Sequence, residues 1–392
     1  MHERIPINPD VLKWARQTAG MQLNEVARKM GKDVDTIQSW EHGDTTPTYV
    51  QLEKLAYHIY KRPVALFFFP APPQEETPRQ SFRTFPDQEI EMMSPQMHYL
   101  LKQARAMQIN LAELNDYVNP AKHNIVHDLK FHPDASVKTM AAQVREYLGI
   151  DLNTQFSWKD PDEALKSWRN ILEVHGVFVF KEAFKDKDES FSGFCLYHQQ
   201  FPLIYINNST SKTRQIFSVF HELAHLLLGT GGVVTRNDDY IKYLKGNDRK
   251  VEILCNRFAG EFLVPDSDFS KRIAKVTISD LSVTDLADKY NVSREVILRK
   301  CLDRKLIDKD YYSKKAEEWA DEARKERKRR KDTGGGDYYA TKGTYLGEGY
   351  LSLAFSRYFQ KKISINQLAD YLGVKVKNIS GMEYILFKKG LA

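Results

Sequence analysis

The sequence predicts an α+β fold that is predominantly helical. Three observations carry this. Residues 9–62 break into brief apolar-periodic segments with about three residues between them, the pattern of a helix-turn-helix bundle. Three short aromatic and β-branched runs, "VFVFK", "SGFCLYH" and "FPLIYIN", follow one another in residues 177–207 and read as a small sheet. The remaining periodic segments, through to the C-terminus, repeat at helical spacing.

In chain order, Pro9 stands at a helix start, and Val11, Leu12 and Ala15 share one face before Gly20. "QLNEVARKM" ends at Gly31, "DVDTIQSWEHG" follows, and a fourth helix runs through "YVQLEKLAYHIY". Residues 70–90 are proline-rich and aperiodic, which predicts a linker. Helices are expected over 94–118 and 136–148, and "PDEALKSWRNILEVHG" gives another that stops at Gly176. The second and third strands are separated by "QQ", which suggests a hairpin with an unusual turn. "KTRQIFSVFHELAHLLLG" is the next helix, with Gly229 as its C-cap. Residues 315–331 form a charged helix, and "DTGGG" then breaks the chain.

The predicted domains are 1–69, a helix-turn-helix bundle; 70–90, a linker; 91–135, a helical connector; 136–310, a domain with the sheet; 311–333, the charged helix; and 334–392, a helical C-terminal unit. Two later stretches, "VTDLADKYNVSREVILRK" and "INQLADYLGVKVKNISGM", echo "LNEVARKMGKDVDTIQSW". Ala27, Ala287 and Ala369 align; Val26, Leu286 and Leu368 precede them, and Ile37, Ile297 and Ile379 come ten residues on. A small residue at a crossing and a branched one in the next helix is how two short helices pack. The interval varies, so the chain is no solenoid.

The 392 residues predict two or three domains, and 42% hydrophobic residues supply their cores. The longest apolar runs, such as "VALFFF" at Val64–Phe69, fall short of the roughly 18 residues that a membrane span needs. "MHERIPINPD" lacks the apolar core of a signal peptide. The three cysteines, Cys195, Cys255 and Cys301, are far apart and lack CxxC spacing, which predicts a reducing cytoplasm and no cysteine-built zinc knot. A net charge of +6 permits contact with nucleic acid without requiring it.

The chemistry concentrates in "FHELAHLLLG", Phe220–Gly229. Helical residues four apart share a face with Cβ atoms about 5–6 Å apart, so His221 and His225 can hold one zinc ion. Glu222 is rotated about 100° from His221, away from that clamp. There it can act as general base on a water in the open position, the HExxH metalloprotease arrangement. HExxH also arises by chance in amphipathic helices with solvent-facing histidines; here "FSVF" and "LLLG" make the surroundings apolar. A catalytic zinc needs a third protein ligand. Asp238, Asp239 and Asp248 fall in a polar loop. Glu252 opens the helix "VEILCNRFAGEFLVP", whose Ile253, Leu254, Phe258, Phe262 and Leu263 pack inward. Glu261 lies about two and a half turns later and points away. Glu252 is therefore the expected third ligand. No oxyanion stabiliser stands out; His198 and Tyr240 qualify by side chain alone.

Over about residues 140–300 the sequence resembles the ImmA/IrrE family of bacterial and phage metallopeptidases. "SGFCLYHQQFPLIYINNSTSKTRQIFSVFHELAHLLLG" and then "VEILCNRFAGEFLVP" carry the likeness. The resemblance implies a zincin-like metallopeptidase domain, with His221, His225 and Glu252 as Zn2+ ligands and Glu222 as catalytic base. Cys255 stands where the family more often has alanine, and is read as a buried small residue, not a ligand. Family members act on regulatory proteins, typically cleaving a helix-turn-helix repressor. "GGGDYYATK" resembles the tail of long members.

"VARKMGKDVDTIQSWEHG" resembles the XRE-type helix-turn-helix. In a DNA-reading form Thr36, Gln38 and Ser39 approach base edges, while Ile37 and Trp40 are core. Leu23 replaces a glutamine common in repressors, and Asp33 and Asp35 put negative charge at the groove end. A protein-binding role for this domain is the competing reading. "RKERKRRK" at Arg324–Lys331 reads as a solvated helix end, and Phe67–Phe69 as a lock on the bundle. The leading expectation is a cytoplasmic zinc endopeptidase cleaving a regulator, repressor or antitoxin, in a stress-response, mobile-element or toxin–antitoxin module. The alternative is a DNA-binding repressor or antitoxin whose protease-like domain binds a partner such as a PIN-type toxin without cleaving it.

Overall fold

The computed structural model describes residues 6–74, 93–184, 191–229, 232–235, 244, 246–331, 337–388 and 390. Most of the predicted linker, the glycines of "DTGGG", and Asp238, Asp239 and Tyr240 lie outside them. Two compact units emerge: residues 1–105 with 184–188, and residues 106–183 with 189–392.

In the first unit, α1 (Pro9–Thr18), α2 (Leu23–Met30), α3 (Val34–His42) and α4 (Tyr49–Glu53) form the bundle, and α4 continues as a wider turn, Lys54–Tyr60. Each start has a physical cause. The Asn8 carboxamide accepts from the Asp10 amide, and Thr48 and Gln51 form a capping box. Val11, Leu12, Ala15, Val26, Ile37, Trp40 and Leu52 are buried between the helices. Phe67 is also buried there, whereas Phe68 and Phe69 are exposed. Asn8 pins this segment by donating to the Phe69 and Pro70 carbonyls.

The Arg16 guanidinium makes two bonds to the Glu41 carboxylate, at 2.7 and 2.9 Å, and a third to the Met21 carbonyl. Both side chains are nearly buried, 12% and 5% exposed. Removing one partner strands a buried charge, so Glu41→Ala is expected to cost about 3–5 kcal/mol of stability. Urea denaturation checks this; a loss under 1 kcal/mol would show that water replaces the carboxylate.

The second unit carries the sheet. The helix α5 (Pro95–Leu114) enters it, followed by a single turn α6 (Ile125–Asp128), then α7 (Val137–Tyr147), α8 (Leu152–Ser157) and α9 (Pro161–Val174). The sheet has four strands, β1 (Phe178–Glu182), β2 (Phe191–Leu196), β3 (Leu203–Asn207) and β4 (Gly232–Thr235), in the order β1-β3-β2-β4. β1 pairs with β3 in parallel, Phe178 opposite Leu203; β2 runs antiparallel to both β3 and β4. Two expectations change here. β4 was not foreseen. The β2–β3 hairpin closes through six residues, 197–202, rather than "QQ", because the His198 ring accepts from the Gln200 and Phe201 amides and folds the loop inward.

Between β3 and β4 runs α10 (Lys212–Leu227), capped by Ser211 and ended at Gly229 in the left-handed region. It is followed by α11 (Gly246–Leu263) and α12 (Asp266–Ile273). α10 lies against β2 where Gly193 leaves space: a Cβ there would stand 3.1 Å from Ile206 Cδ1 and 3.6 Å from Ser218 Cβ. Behind α10, Phe220 stacks on Phe262 at 4.2 Å, and Trp168 meets Phe220 edge-on at 4.8 Å. Gln155, fully buried, donates to the Leu263 and Tyr290 carbonyls and fixes the far end of α11.

The helices α13 (Asp280–Tyr290), α14 (Arg294–Asp303), α15 (Lys309–Lys331), α16 (Tyr338–Leu346), α17 (Glu348–Phe359), α18 (Ile365–Leu372) and α19 (Ile379–Lys388) complete the chain. The three echoing segments share one local design. Gly31, Asn291 and Gly373 each end a helix in the left-handed conformation, and each donates its amide to the carbonyl of the aligned alanine, Ala27, Ala287 or Ala369. All three alanines are buried, as are Ile37, Ile297 and Ile379. No helix among the described residues is long and apolar enough to cross a membrane.

Candidate metal centre

α10 is an inward-facing helix, and the polar residues of its buried second half are the ones with chemistry. His221, Glu222 and His225 are 1%, 0% and 0% exposed, and Glu252, arriving from the packed face of α11, is 0% exposed. The imidazole Nε2 atoms of His221 and His225 stand 3.1 Å apart. The Glu252 carboxylate bridges them, with Oε2 at 3.3 Å from His221 Nε2 and Oε1 at 3.2 Å from His225 Nε2. Zinc bonds of ~2.0–2.1 Å give a tetrahedral edge of about 3.3–3.4 Å, so this spacing fits one ion and the N,N,O donor set of hydrolytic zinc sites.

Outer contacts set the orientation. His221 Nδ1 lies 2.8 Å from Asn256 Oδ1. An amide oxygen only accepts, so Nδ1 carries the proton and the Nε2 lone pair is directed at the centre. Asn256 is one turn beyond Glu252, so one face of α11 supplies both contacts. Sequence reasoning gave Asn256 no role, although it sits in the quoted motif "ILCNRFAG". Asn256→Ala is expected to weaken zinc binding about 10–100-fold. Competition with a chromogenic chelator measures this; unchanged affinity would mean that Asn256 does not orient the ring.

The electrostatics separate the two glutamates. Burial opposes ionisation of Glu252, but the His225 charge and the close approach of the two imidazoles outweigh it and hold its carboxyl well below the usual range. His225 is raised well above its ordinary value: burial opposes its charge, and Cys255 and Glu252 overcome that. Burial raises Glu222, with only partial relief from His225, His221 and the Cys195 thiol on β2. Neither Glu222 oxygen meets a hydrogen-bond partner of regular geometry. A buried, unsatisfied carboxylate beside two imidazoles is a costly arrangement that a structural role does not explain.

Cys255 also does more than fill space. Its thiol lies with the two imidazoles in one cluster of donor atoms within 4.8 Å. The other sequence candidates fall elsewhere. Glu261 accepts from Lys300 Nζ at 2.6 Å and from the Asp266 amide. Asp248 stands in the first turn of α11, because the helix begins at Gly246 rather than beside Glu252. His198 is occupied with its own loop. In α3, Gln38 is exposed and Thr36 and Ser39 are half-buried, with Ser39 Oγ 2.7 Å from Thr45 Oγ1. Asp33 serves as N-cap, its carboxylate accepting from the Thr36 amide at 2.6 Å.

A helix-turn-helix bundle in one unit, and in the other an HExxH helix on a small sheet met by a glutamate from the next helix, define a chain that joins a helix-turn-helix domain to a metallopeptidase-type domain. Residues 172–302 match the model of a peptidase family, M78, described as an IrrE N-terminal-like domain, and residues 12–56 match a helix-turn-helix model. The chain thus carries both domains in the order expected, and the M78 family is of the zinc-dependent metallopeptidase type. No curated protein matches the chain by sequence.

Proposed function

We propose that the protein is a zinc-dependent endopeptidase that cleaves a regulatory protein, a repressor or an antitoxin, in a stress-response, mobile-element or toxin–antitoxin module of the cytoplasm. The observation that carries this reading is the convergence of two imidazoles and the Glu252 carboxylate on one point, with an unsatisfied Glu222 carboxylate beside it. His221, His225 and Glu252 would hold the ion. Zinc bound there supplies Lewis acidity toward water and a peptide carbonyl. Glu222 takes a proton from the attacking water and delivers it to the leaving amide nitrogen. Asn256 keeps the His221 ring in the tautomer that leaves Nε2 free. The helix-turn-helix domain brings the enzyme to its operator or its substrate, with Thr36, Gln38 and Ser39 nearest the bases if DNA is bound.

Metal analysis of the purified protein by mass spectrometry tests the site. One zinc per chain, lost in His221→Ala and in Glu252→Ala, supports it. A wild-type protein that stays metal-free after zinc is supplied and the excess removed would sink it.

A further inference from the structure

A second site lies away from the histidines, in a cleft of about 420 Å³ lined by residues of α9, β1, the first turn of α10 and the α16–α17 junction. Its floor is cationic. Lys181, in the middle of β1, is only 3% exposed. Among the described residues no carboxylate comes within 4 Å of its Nζ; the charges that act on it are Arg169 and Lys212, offset in part by Asp162. Lys212, the first residue of α10, spends its own attraction on Asp162 at 2.9 Å, and Asp162 is largely solvent-exposed. Arg169 adds a third positive charge. Its guanidinium donates to the carbonyls of Val179, Thr344 and Tyr345, and among the described residues no carboxylate lies within 4 Å of it.

Two lysine side chains, one of them desolvated, beside an arginine whose guanidinium bonds to carbonyls, form an arrangement that burial makes unfavourable for positive charge; Glu173 and Glu348 offset part of this at Arg169, and Asp162 part of it at Lys181. Burial, then Arg169 and Lys212, push Lys181 down to about 6. An anion between these groups offsets the repulsion from Arg169 and Lys212 and favours the protonated form of Lys181. The start of α10 contributes in the same sense, since the positive end of a helix dipole favours an anion.

We propose that this cleft binds a phosphate dianion, free or as the monoester of a small polar molecule, through Lys181, Lys212 and Arg169. A double negative charge suits three cations on one wall better than a single carboxylate does. The volume lies in the small-molecule range and leaves room for more than a bare ion. The lining also holds Glu173, one turn beyond Arg169 on α9, and Glu348, which pairs with Lys166 at 3.1 Å; their carboxylates can accept from hydroxyl or amino groups of an esterified portion. The cleft and the HExxH motif share one rigid element: nine residues of α10 separate Lys212 from His221, about 13 Å along the helix axis. The proposal is independent of whether the metal centre hydrolyses anything.

The test is calorimetric titration of the purified full chain with inorganic phosphate, ribose 5-phosphate and adenosine monophosphate, with potassium chloride at matched ionic strength as control. Lys181→Met and Lys212→Gln are run beside the wild type. The expected result is saturable one-to-one binding of at least one phosphate compound, weakened at least tenfold in both variants. The unfolding midpoint of Lys181→Met should not fall, because methionine removes a buried amine that has no carboxylate partner among the described residues without removing the chain that packs. Tightest binding of inorganic phosphate assigns the free ion, of ribose 5-phosphate a sugar phosphate, and of adenosine monophosphate a nucleotide. No saturable binding by any of the three, a response equalled by chloride, or an affinity that either variant leaves within twofold overturns the proposal.

Discussion

Glu222→Gln is expected to reduce peptide-bond cleavage by about 10²–10⁴-fold while the protein keeps its zinc. Glutamine preserves the shape of the side chain but cannot take a proton from water. The residue stands beside the two imidazoles without filling a place between them, so the donor cluster of His221, His225 and Glu252 is left intact. The measurement pairs zinc content with cleavage of the protein partner, followed by electrophoresis. Cleavage at wild-type rate would exclude Glu222 as the base. A regulatory response that persists in cells carrying this variant would instead favour partner binding without hydrolysis.

Glu252→Ala is expected to have the second large effect, on the metal itself. Among the described residues it removes the only carboxylate within 3.3 Å of both imidazoles. Zinc affinity should fall by more than the 10–100-fold that loss of an outer contact costs, since a direct ligand is removed. The loss also removes one of the two groups, Cys255 and Glu252, that sustain the charge of the buried His225, so the metal-free variant should unfold more readily than metal-free wild type. Equilibrium dialysis and thermal melts give the two numbers separately. The informative exception is a variant that still holds zinc near wild-type affinity: the Cys255 thiol, in the same cluster, would then have taken the place of the carboxylate.

Much of this arrangement was legible in the chain because it is local. His221 and His225 are four residues apart on one helix, and the echo around Ala27, Ala287 and Ala369 encodes packing between consecutive helices. Glu252 could be chosen because an amphipathic helix has only one inward face. What escaped depends on distant partners or on short segments. β4 has four residues and exists through pairing with β2, which no period in "GVVT" announces. The first turn of α11 is exposed and polar, so no apolar spacing marked its start. Asn256 acquires its role from a ring on another helix, and Lys181, Lys212 and Arg169 meet from three elements. The left-handed caps were half legible: Gly31 and Gly373 are ordinary helix ends, but Asn291 adopts the same conformation at φ 56° without being glycine.

The complete burial of His221, Glu222, His225 and Glu252 makes time as important as chemistry here. A peptide bond cannot touch a carboxylate that no solvent reaches, so turnover by the proposed peptidase would wait on an excursion that uncovers it. If that excursion costs about 2.7 kcal/mol, one molecule in about a hundred is competent at any moment, and apparent reactivity toward a casual encounter drops by the same factor. A partner that prefers the uncovered form recovers the whole factor through its own binding. Discrimination between a dedicated target and the bulk of cellular protein can then reside in an opening equilibrium, with no feature of the scissile sequence required to supply it.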